Sequence, residues 1–591
     1  MVKTQIDENS PWFNERYWPK DMPKQLEYDP NMTMYDAFVE TAEKYPHENG
    51  FWFLDTWMDY AEMLKNVDNF AGGLIKLGMK KGDVLGLLVP NSYNFVIAYY
   101  ACLKIGVICS PMNGTYKPGE ILHQLSMTKA NVLVILDGLN DDLFQPIRDK
   151  LNLDHVISTG ILDFVPFSPI KKFLAKVLKK VPTGKVPDSI SMKKVIEMGK
   201  ANPVEKAKIT TAEDPAVYLM TGGTTGVPKA AVLTHLNIYA NALQCRNWVR
   251  YQHEEGEPMK KFTPQDAMIG VLPFFHSFGM TVVLNAGVIS GASIVMFPRP
   301  PPTEELLETL KKISLETMMY PGAEVLFQRI ADLPQETIDT YDLSGKLTFC
   351  LSGAGPLHEY VRIPFEEKTR GKIVEGYGLT ETSPVLSAGN FYGENRCVES
   401  IGIPFPGTDW KIFPSEDFDA GPIEGIGEEN TGEICASGPQ IMKEYLDRPE
   451  ETADTIKEWG GKKWLLTGDI GFLDEYGRGF IRDRKKQLIK MRGYSIYPKE
   501  VESLVGLHEE VNEVAVAGLP DKETGEAVKA WVKLEEGSTL TPETLKVWCK
   551  ENMTHYKVPK YIEFIPDIPK NIIGKVQRRI LQENDPLFKQ E

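Results

Sequence analysis

The residues from Tyr218 to His235, YLMTGGTTGVPKAAVLTH, constrain this chain more than any other stretch: an apolar run of strand character enters a loop of glycines and threonines, and a lysine leads into a second strand. Gly222, Gly223 and Gly226 carry no Cβ, so backbone N–H groups can close on an anion, while Thr221, Thr224 and Thr225 add hydroxyls and Lys229 a positive charge. Such a loop suits a polyphosphate. A Walker A loop needs Gly, four residues, then Gly-Lys-Ser/Thr; here Val227 and Pro228 part Gly226 from Lys229 and Ala230 follows, so the P-loop reading drops. The residues around Gly376 and Gly378 do not match the dinucleotide GxGxxG either. On this stretch alone, a plain glycine turn between strands is the alternative.

Residues 33 to 137 alternate helical patterns with short apolar runs such as Asp83–Val89, Gly106–Ser110 and Ala130–Leu136, the rhythm of strand-helix-strand units that continues to Lys372. This predicts an α/β fold: a large N-terminal domain with doubly wound sheets, its ligands at the carboxyl ends of strands. A Gly-rich turn at Tyr476–Gly479 precedes a boundary at Asp483–Gln487, after which a compact α+β pattern begins. It has a strand near Leu488–Met491, a helix started by Pro498, strands at Val514–Gly518 and Ala527–Leu534, and a helix capped by Thr541 with Pro542 in its first turn. The division is therefore 1–483, a hinge at 484–487, and a small mobile lid domain at 488–591.

The formal charge of −16 argues against a nucleic-acid groove, which needs an excess of Lys and Arg. Seven cysteines from Cys102 to Cys549 form no CxxC pair, which fits core positions in a reducing compartment. The polar start MVKTQIDENSPWF does not support export, and a cytoplasmic protein is expected. Residues 267–297 carry no Asp, Glu, Lys or Arg, but Pro273, His276, Ser277, Gly279, Asn285, Gly287, Ser290 and Gly291 interrupt them, which suits buried strands and helices better than a membrane span. Residues 164–187 hold six lysines and no acid. Within 168–182 apolar residues recur at the spacing of one helical face, the pattern of a helix lying on an anionic membrane face, with a surface helix packed on its own domain as the alternative.

Six further segments follow the loop in order. They are PFFHSFG with His276, SGAGPL from Ser352 to Leu357, EGYGLTE from Glu375 to Glu381, LTGD ending at Asp469, IRDRKKQLIKMRG from Ile481 to Gly493, and PKNIIGKVQRRIL with Lys575. Together with the loop they resemble the adenylate-forming enzymes, the superfamily of acyl-CoA synthetases, luciferases and nonribosomal adenylation domains. Gly222, where many relatives have serine, makes the loop look most like that of long-chain fatty acyl-CoA synthetases.

The resemblance implies a set of roles. Thr221 to Lys229 would close over the β- and γ-phosphates of ATP, Thr380 would contact the α-phosphate, and Glu381 would help hold Mg²⁺. Gly353, Ala354, Gly355 and Pro356 would bring bare backbone to the adenine and Tyr377 an aromatic face, while Asp469 and Arg484 would bind the ribose. Lys575 would bridge the substrate carboxylate and the α-phosphate. Ile573 stands where relatives often have Ser or Thr, which loses one hydroxyl contact. Arg578 and Arg579 read as surface residues. Since CoA must reach the adenylate, the lid has to rotate; Lys486 would be the hinge position, with Gly493 lining the thiol tunnel and Lys490 carried on the same strand. Gly378 and His276 fall on the substrate side.

Amino-acid-activating relatives usually place an acid in the PFFHSFG segment; His276 there implies a plain carboxylic acid. Glycines 279, 287 and 291 would leave room for an acyl tunnel, in which each buried methylene contributes about 0.8 kcal/mol. The expected activity is a long- or medium-chain fatty acid–CoA ligase using ATP, Mg²⁺ and CoA. An aryl-CoA ligase and a fatty acyl-AMP ligase are the rivals within the superfamily, and a non-catalytic membrane-associated scaffold is the rival from another class.

Overall fold

The strands that flank the glycine-threonine loop form a hairpin in which Thr221 lies opposite Lys229. In this computed structural model all residues are described except 169, 173–180, 222–227, 254–257, 394–395, 398, 492–493, 522–523, 571–574 and 589–591, and the side chains of 494 and 495. The hairpin belongs to an eight-stranded sheet ordered Glu444–Tyr445, Lys229–Thr234, Pro215–Thr221, Ile108–Pro111, Val84–Leu88, Val132–Leu136, His155–Thr159, Ile190–Ser191. Its first two pairings are antiparallel and the rest parallel. Val84–Leu88 and Val132–Leu136 are apolar and buried throughout, as parallel strands covered on both faces must be.

A nine-stranded sheet runs Ile403–Pro404, Val385–Ala388, Lys372–Gly378, Phe349–Ser352, Thr317–Gly322, Asp266–Gly270, Ser293–Met296, Asn49–Phe53, Thr56–Asp59. It is parallel through its middle and antiparallel at both ends. Asp266–Gly270 is a switch point, since the next strand in sequence pairs on one side and the one after it on the other. The crevice beyond the carboxyl ends at such a point is where open α/β sheets hold ligands. His276, Gly353 and Glu381 all follow carboxyl ends of this sheet.

Three helices pack together behind this crevice. The first, α1 (Met34–Lys44), starts at a capping box between Thr33 and Asp36; α2 (His235–Arg250) starts at another, between Thr234 and Asn237, which satisfies amides the first turn leaves open. Both touch the short α3 (Ala286–Ser290) as well as each other. Residues 267–297 fold into buried strands and short helical turns, and among the described residues no helix is long and apolar enough to cross a membrane.

Contrary to expectation, Gly279, Gly287 and Gly291 do not open a tunnel. A Cβ on Gly279 would lie 2.3 Å from the Pro273 carbonyl oxygen, and one on Gly287 2.2 Å from Ile294 Cδ1. Gly291 has a φ of +78° and ends α3 against the Tyr45 ring. These glycines permit close packing at their own positions, and the nearby apolar cavity is lined by Met268, Val282, Ala286 and Ser290 instead.

Beyond the two large sheets, an antiparallel sheet carries Lys462–Leu473 and, paired to it, Gly479–Arg484. From Ile489 the chain forms a separate sheet of Tyr494–Ile496, Ile489–Met491, Gly525–Leu534, Val511–Asp521 and Tyr561–Phe564, covered by α4 (Pro498–Val505) and α5 (Pro542–Asn552) around their own apolar cluster. Arg578 is not the surface residue its sequence context suggests. Its guanidinium forks onto both Glu502 carboxylate oxygens at 2.8 and 2.6 Å and donates to the Val516 carbonyl at 3.1 Å, fixing the chain that follows Lys575 onto this sheet.

Candidate active site

Cross-strand register explains the first part of the site. Asp469 and Arg484 face each other on adjacent antiparallel strands, and Arg484 Nε lies 2.9 Å from Asp469 Oδ1. The Tyr377 hydroxyl donates to Asp469 Oδ2 at 2.7 Å, so one buried carboxylate holds both an aromatic ring and a guanidinium in place. Asp469 is itself steadied by its own N–H donating to Thr467 Oγ1 at 3.1 Å.

Lys575 comes to this group from the C-terminal sheet. An antiparallel bridge joins Lys570 to Val576, the residue after Lys575. Burial pushes the Lys575 ammonium down to about 8, and the Arg484 charge pushes it further the same way while Asp469 opposes. The ring of His276 also senses Lys575; burial, then this charge, lowers His276 to about 4. The Phe278 N–H donates to His276 Nδ1 at 3.2 Å, which leaves the proton of the neutral ring on Nε2.

A second group sits at the hairpin. Tyr445 lies beside Ala231 across the sheet edge, and the Lys229 ammonium stands 4.8 Å from its ring centroid. The Tyr445 hydroxyl donates to Glu381 Oε1 at 2.7 Å. Thr380 and Glu381 occupy the short turn after the Lys372–Gly378 strand, and a Cβ on Gly378 would fall 1.8 Å from the Pro384 carbonyl oxygen, so only glycine lets that turn close. Among the described residues no three His, Cys, Asp or Glu side chains could hold a metal together. A Mg²⁺ carried on nucleotide phosphates needs only one or two carboxylates, which the braced Glu381 fits.

Gly353 is buried at the end of Phe349–Ser352, and Ala354, Gly355 and Pro356 follow as exposed backbone, with Ala354 in the left-handed region at a φ of +70°. Beneath this turn lies a carboxyl that no motif singles out as functional. Glu375 accepts the Leu357 N–H at 3.0 Å, and burial raises it to about 8. Tyr445 is equally silent in the sequence, because a tyrosine in KEYLDRPE carries no local signal and its role comes only from strand pairing.

Other expected positions lie apart. Lys486 is exposed in the turn Lys485–Gln487, and Lys490 is exposed with its ammonium 3.7 Å from Glu416. Gly222, Gly223, Thr224, Thr225, Gly226, Gly493 and Ile573 fall outside the described residues, as do 169 and 173–180 of the basic segment.

The profile of the AMP-binding enzyme family matches residues 38–446, and that of the AMP-binding enzyme C-terminal domain matches 500–575. A long-chain-fatty-acid–CoA ligase of Bacillus subtilis (strain 168) is 35% identical over 586 residues, covering 98% of this chain and 99% of that protein. One from Yersinia pestis is 33% identical over 579 residues, covering 97% and 98%. The crystal structure of ATP-bound MatB from Rhodopseudomonas palustris shares the fold, with a TM-score of 0.75 at 24% identity over 94% of this chain and 100% of that one.

Proposed function

The chain belongs to the family of AMP-binding enzymes, and on that premise we propose that it is a fatty acid–CoA ligase. A fatty acid carboxylate attacks the α-phosphorus of ATP, giving acyl-AMP and releasing pyrophosphate; the CoA thiolate then attacks the acyl carbon and AMP leaves. The relatives' names supply the substrate class.

The observation that carries this reading is the gathering of Lys575 with the Asp469–Arg484 pair and His276, since these come from three segments far apart in the chain. Lys575 then offsets the charge of carboxylate and α-phosphate as they approach, a task for a fixed cation in a site that excludes water. Lys229 and the Thr221–Gly226 loop take the β- and γ-phosphates, and Thr380 takes the α-phosphate. Glu381 holds Mg²⁺, which when bound neutralises charge on the phosphate oxygens. Gly353, Ala354, Gly355, Pro356 and Tyr377 receive adenine, and Asp469 with Arg484 the ribose.

A neutral His276 in place of an acidic side chain suits a carboxylic acid without an amino group. A small apolar cavity lined by Trp248, Phe262, Met268, Val282 and Phe349 lies between α2 and the nine-stranded sheet, and its lining is of the kind an alkyl chain packs against. For the second step we assign 1–483 and 488–591 as bodies that rotate about 484–487 at Lys486, bringing Lys490 and Gly493 toward the thiol with Gly378 on the acyl side. We further assign a cytoplasmic location with peripheral contact through 168–182. Salt-sensitive sedimentation with anionic vesicles, lost on deleting that segment, supports the contact, and unchanged sedimentation contradicts it.

Pyrophosphate release from a panel of fatty and aromatic acids, with and without CoA, tests the assignment. Release with fatty acids and CoA-dependent thioester formation are expected; release only with aromatic acids, or no thioester, overturns it.

A further inference from the structure

The connection at 484–487 is fastened at both ends and exposed in the middle. Lys485 turns its ammonium back to Glu433 on the strand Gly432–Ser437, 3.0 Å from Oε2. Gln487 is held from the other side: its Oε1 accepts from Arg578 Nη1 at 3.3 Å, and Arg578 is the residue that Glu502 fixes on the C-terminal sheet. Lys486, between them, is exposed.

Glu433 reaches two places at once. Its side chain is only 5% exposed, and its second oxygen, Oε1, accepts the Gly468 N–H at 2.9 Å. Gly468, in the left-handed region at a φ of +73°, turns the chain immediately before Asp469. Asp469 in turn holds Arg484, the neighbour of Lys485, at 2.9 Å. One buried carboxylate therefore braces the turn that precedes Asp469 and also the start of the connection. A glutamine would satisfy the Gly468 N–H equally well; only the lysine calls for a carboxylate in that buried place.

We propose that Glu433 is a positioning residue for the first half-reaction: through Lys485 it fixes the start of the connection to the nucleotide turn, which confines the rotation of the lid to Lys486 and sets where Lys575 meets the carboxylate and the α-phosphate. This rests on the fatty acid–CoA ligase reading and its rotating lid. Lys575 acts at the reacting centre, where a misplacement of about 1 Å costs on the order of a hundredfold, so slack at the mount is felt there. Consumption of supplied acyl-adenylate by CoA does not use Lys575 and tolerates the slack.

The test measures the two half-reactions separately, acyl-adenylate formation from fatty acid and MgATP and consumption of supplied acyl-adenylate by CoA, in the wild type, Glu433→Gln, Lys485→Met and the double variant. Each single variant is expected to lose roughly tenfold or more in kcat of adenylate formation, with KM for ATP and the second half-reaction within about twofold of the wild type. The double variant should lose no more than the worse single one, because all three remove the same pair. Lys485→Met, at a partly exposed side chain, serves if Glu433→Gln does not fold. Unchanged adenylate formation, equal loss of both half-reactions, a rise in KM for ATP that accounts for the loss, or losses that multiply in the double variant overturns the proposal. A wild type that forms no acyl-adenylate from any fatty acid fails the ligase reading and the proposal with it, whereas a wild type that forms adenylate alongside insensitive variants fails the proposal alone.

Discussion

Two titratable residues carry consequences that can be measured on single side chains. Glu375 titrates at about 8 in the folded protein against roughly 4.3 for an unperturbed glutamate, so between those values the native state holds a proton the unfolded state has lost. Stability from this group is therefore full at low pH and declines as pH rises across the window. Glu375→Gln, which keeps an acceptor for the Leu357 N–H, should unfold later than the wild type at pH 8, by on the order of 1–2 kcal/mol, and nearly together with it at pH 5. Thermal unfolding at both values decides, and an equal offset at both contradicts a buried neutral carboxyl. Lys575 gives a signature of the same direction in kinetics. Its ammonium is the working form, and burial holds the free-enzyme group near 8, so kcat/KM for adenylate formation should fall as pH rises through that value. A profile flat to pH 9 removes the charged lysine from that step.

At the scale of elements, the connection between the last two sheets is the informative piece. Asp483 is buried and accepts the Arg484 N–H at 2.7 Å and the Lys499 N–H at 2.8 Å. Helix α4 has no side-chain cap of its own at Tyr497, and Asp483 serves that end from outside the helix. Asp483→Ala should cost about 1–2 kcal/mol, seen as earlier unfolding, and slow adenylate formation by loosening the approach of Lys575. If denaturation midpoint and rate are both unchanged, the tie is ornamental. Three residues further on, Lys486→Pro should spare adenylate formation and impair thioester formation, because the proline fixes a φ that rotation must change. Thioester formation at the wild-type rate argues against a hinge there. This scale also separates what is legible in the sequence from what is not. The strand-helix rhythm, the Pro498 and Thr541 helix starts and the loop between two strands are readable because each is local chemistry within a few residues. The Tyr445–Glu381 contact, the Arg578–Glu502 fork and the filled space around Gly287 are not, since each depends on pairing between segments that no local pattern records.

At the scale of the whole molecule, sequence motifs name the groups, and the fold accounts for their meeting. Strand ends at a switch point bring His276, Gly353 and Glu381 to one crevice, a separate antiparallel sheet supplies Asp469 and Arg484, and the C-terminal sheet supplies Lys575. In the proposed cycle only the last of these travels, so that CoA can reach the adenylate. The two half-reactions therefore depend on Lys575 to different extents, and that difference is the most direct test. In Lys575→Ala, acyl-adenylate formation from fatty acid and MgATP should be abolished, while supplied acyl-adenylate should still be consumed by CoA at close to the wild-type rate. Equal loss of both half-reactions, or retention of the first, would contradict the assignment of Lys575 to adenylate formation.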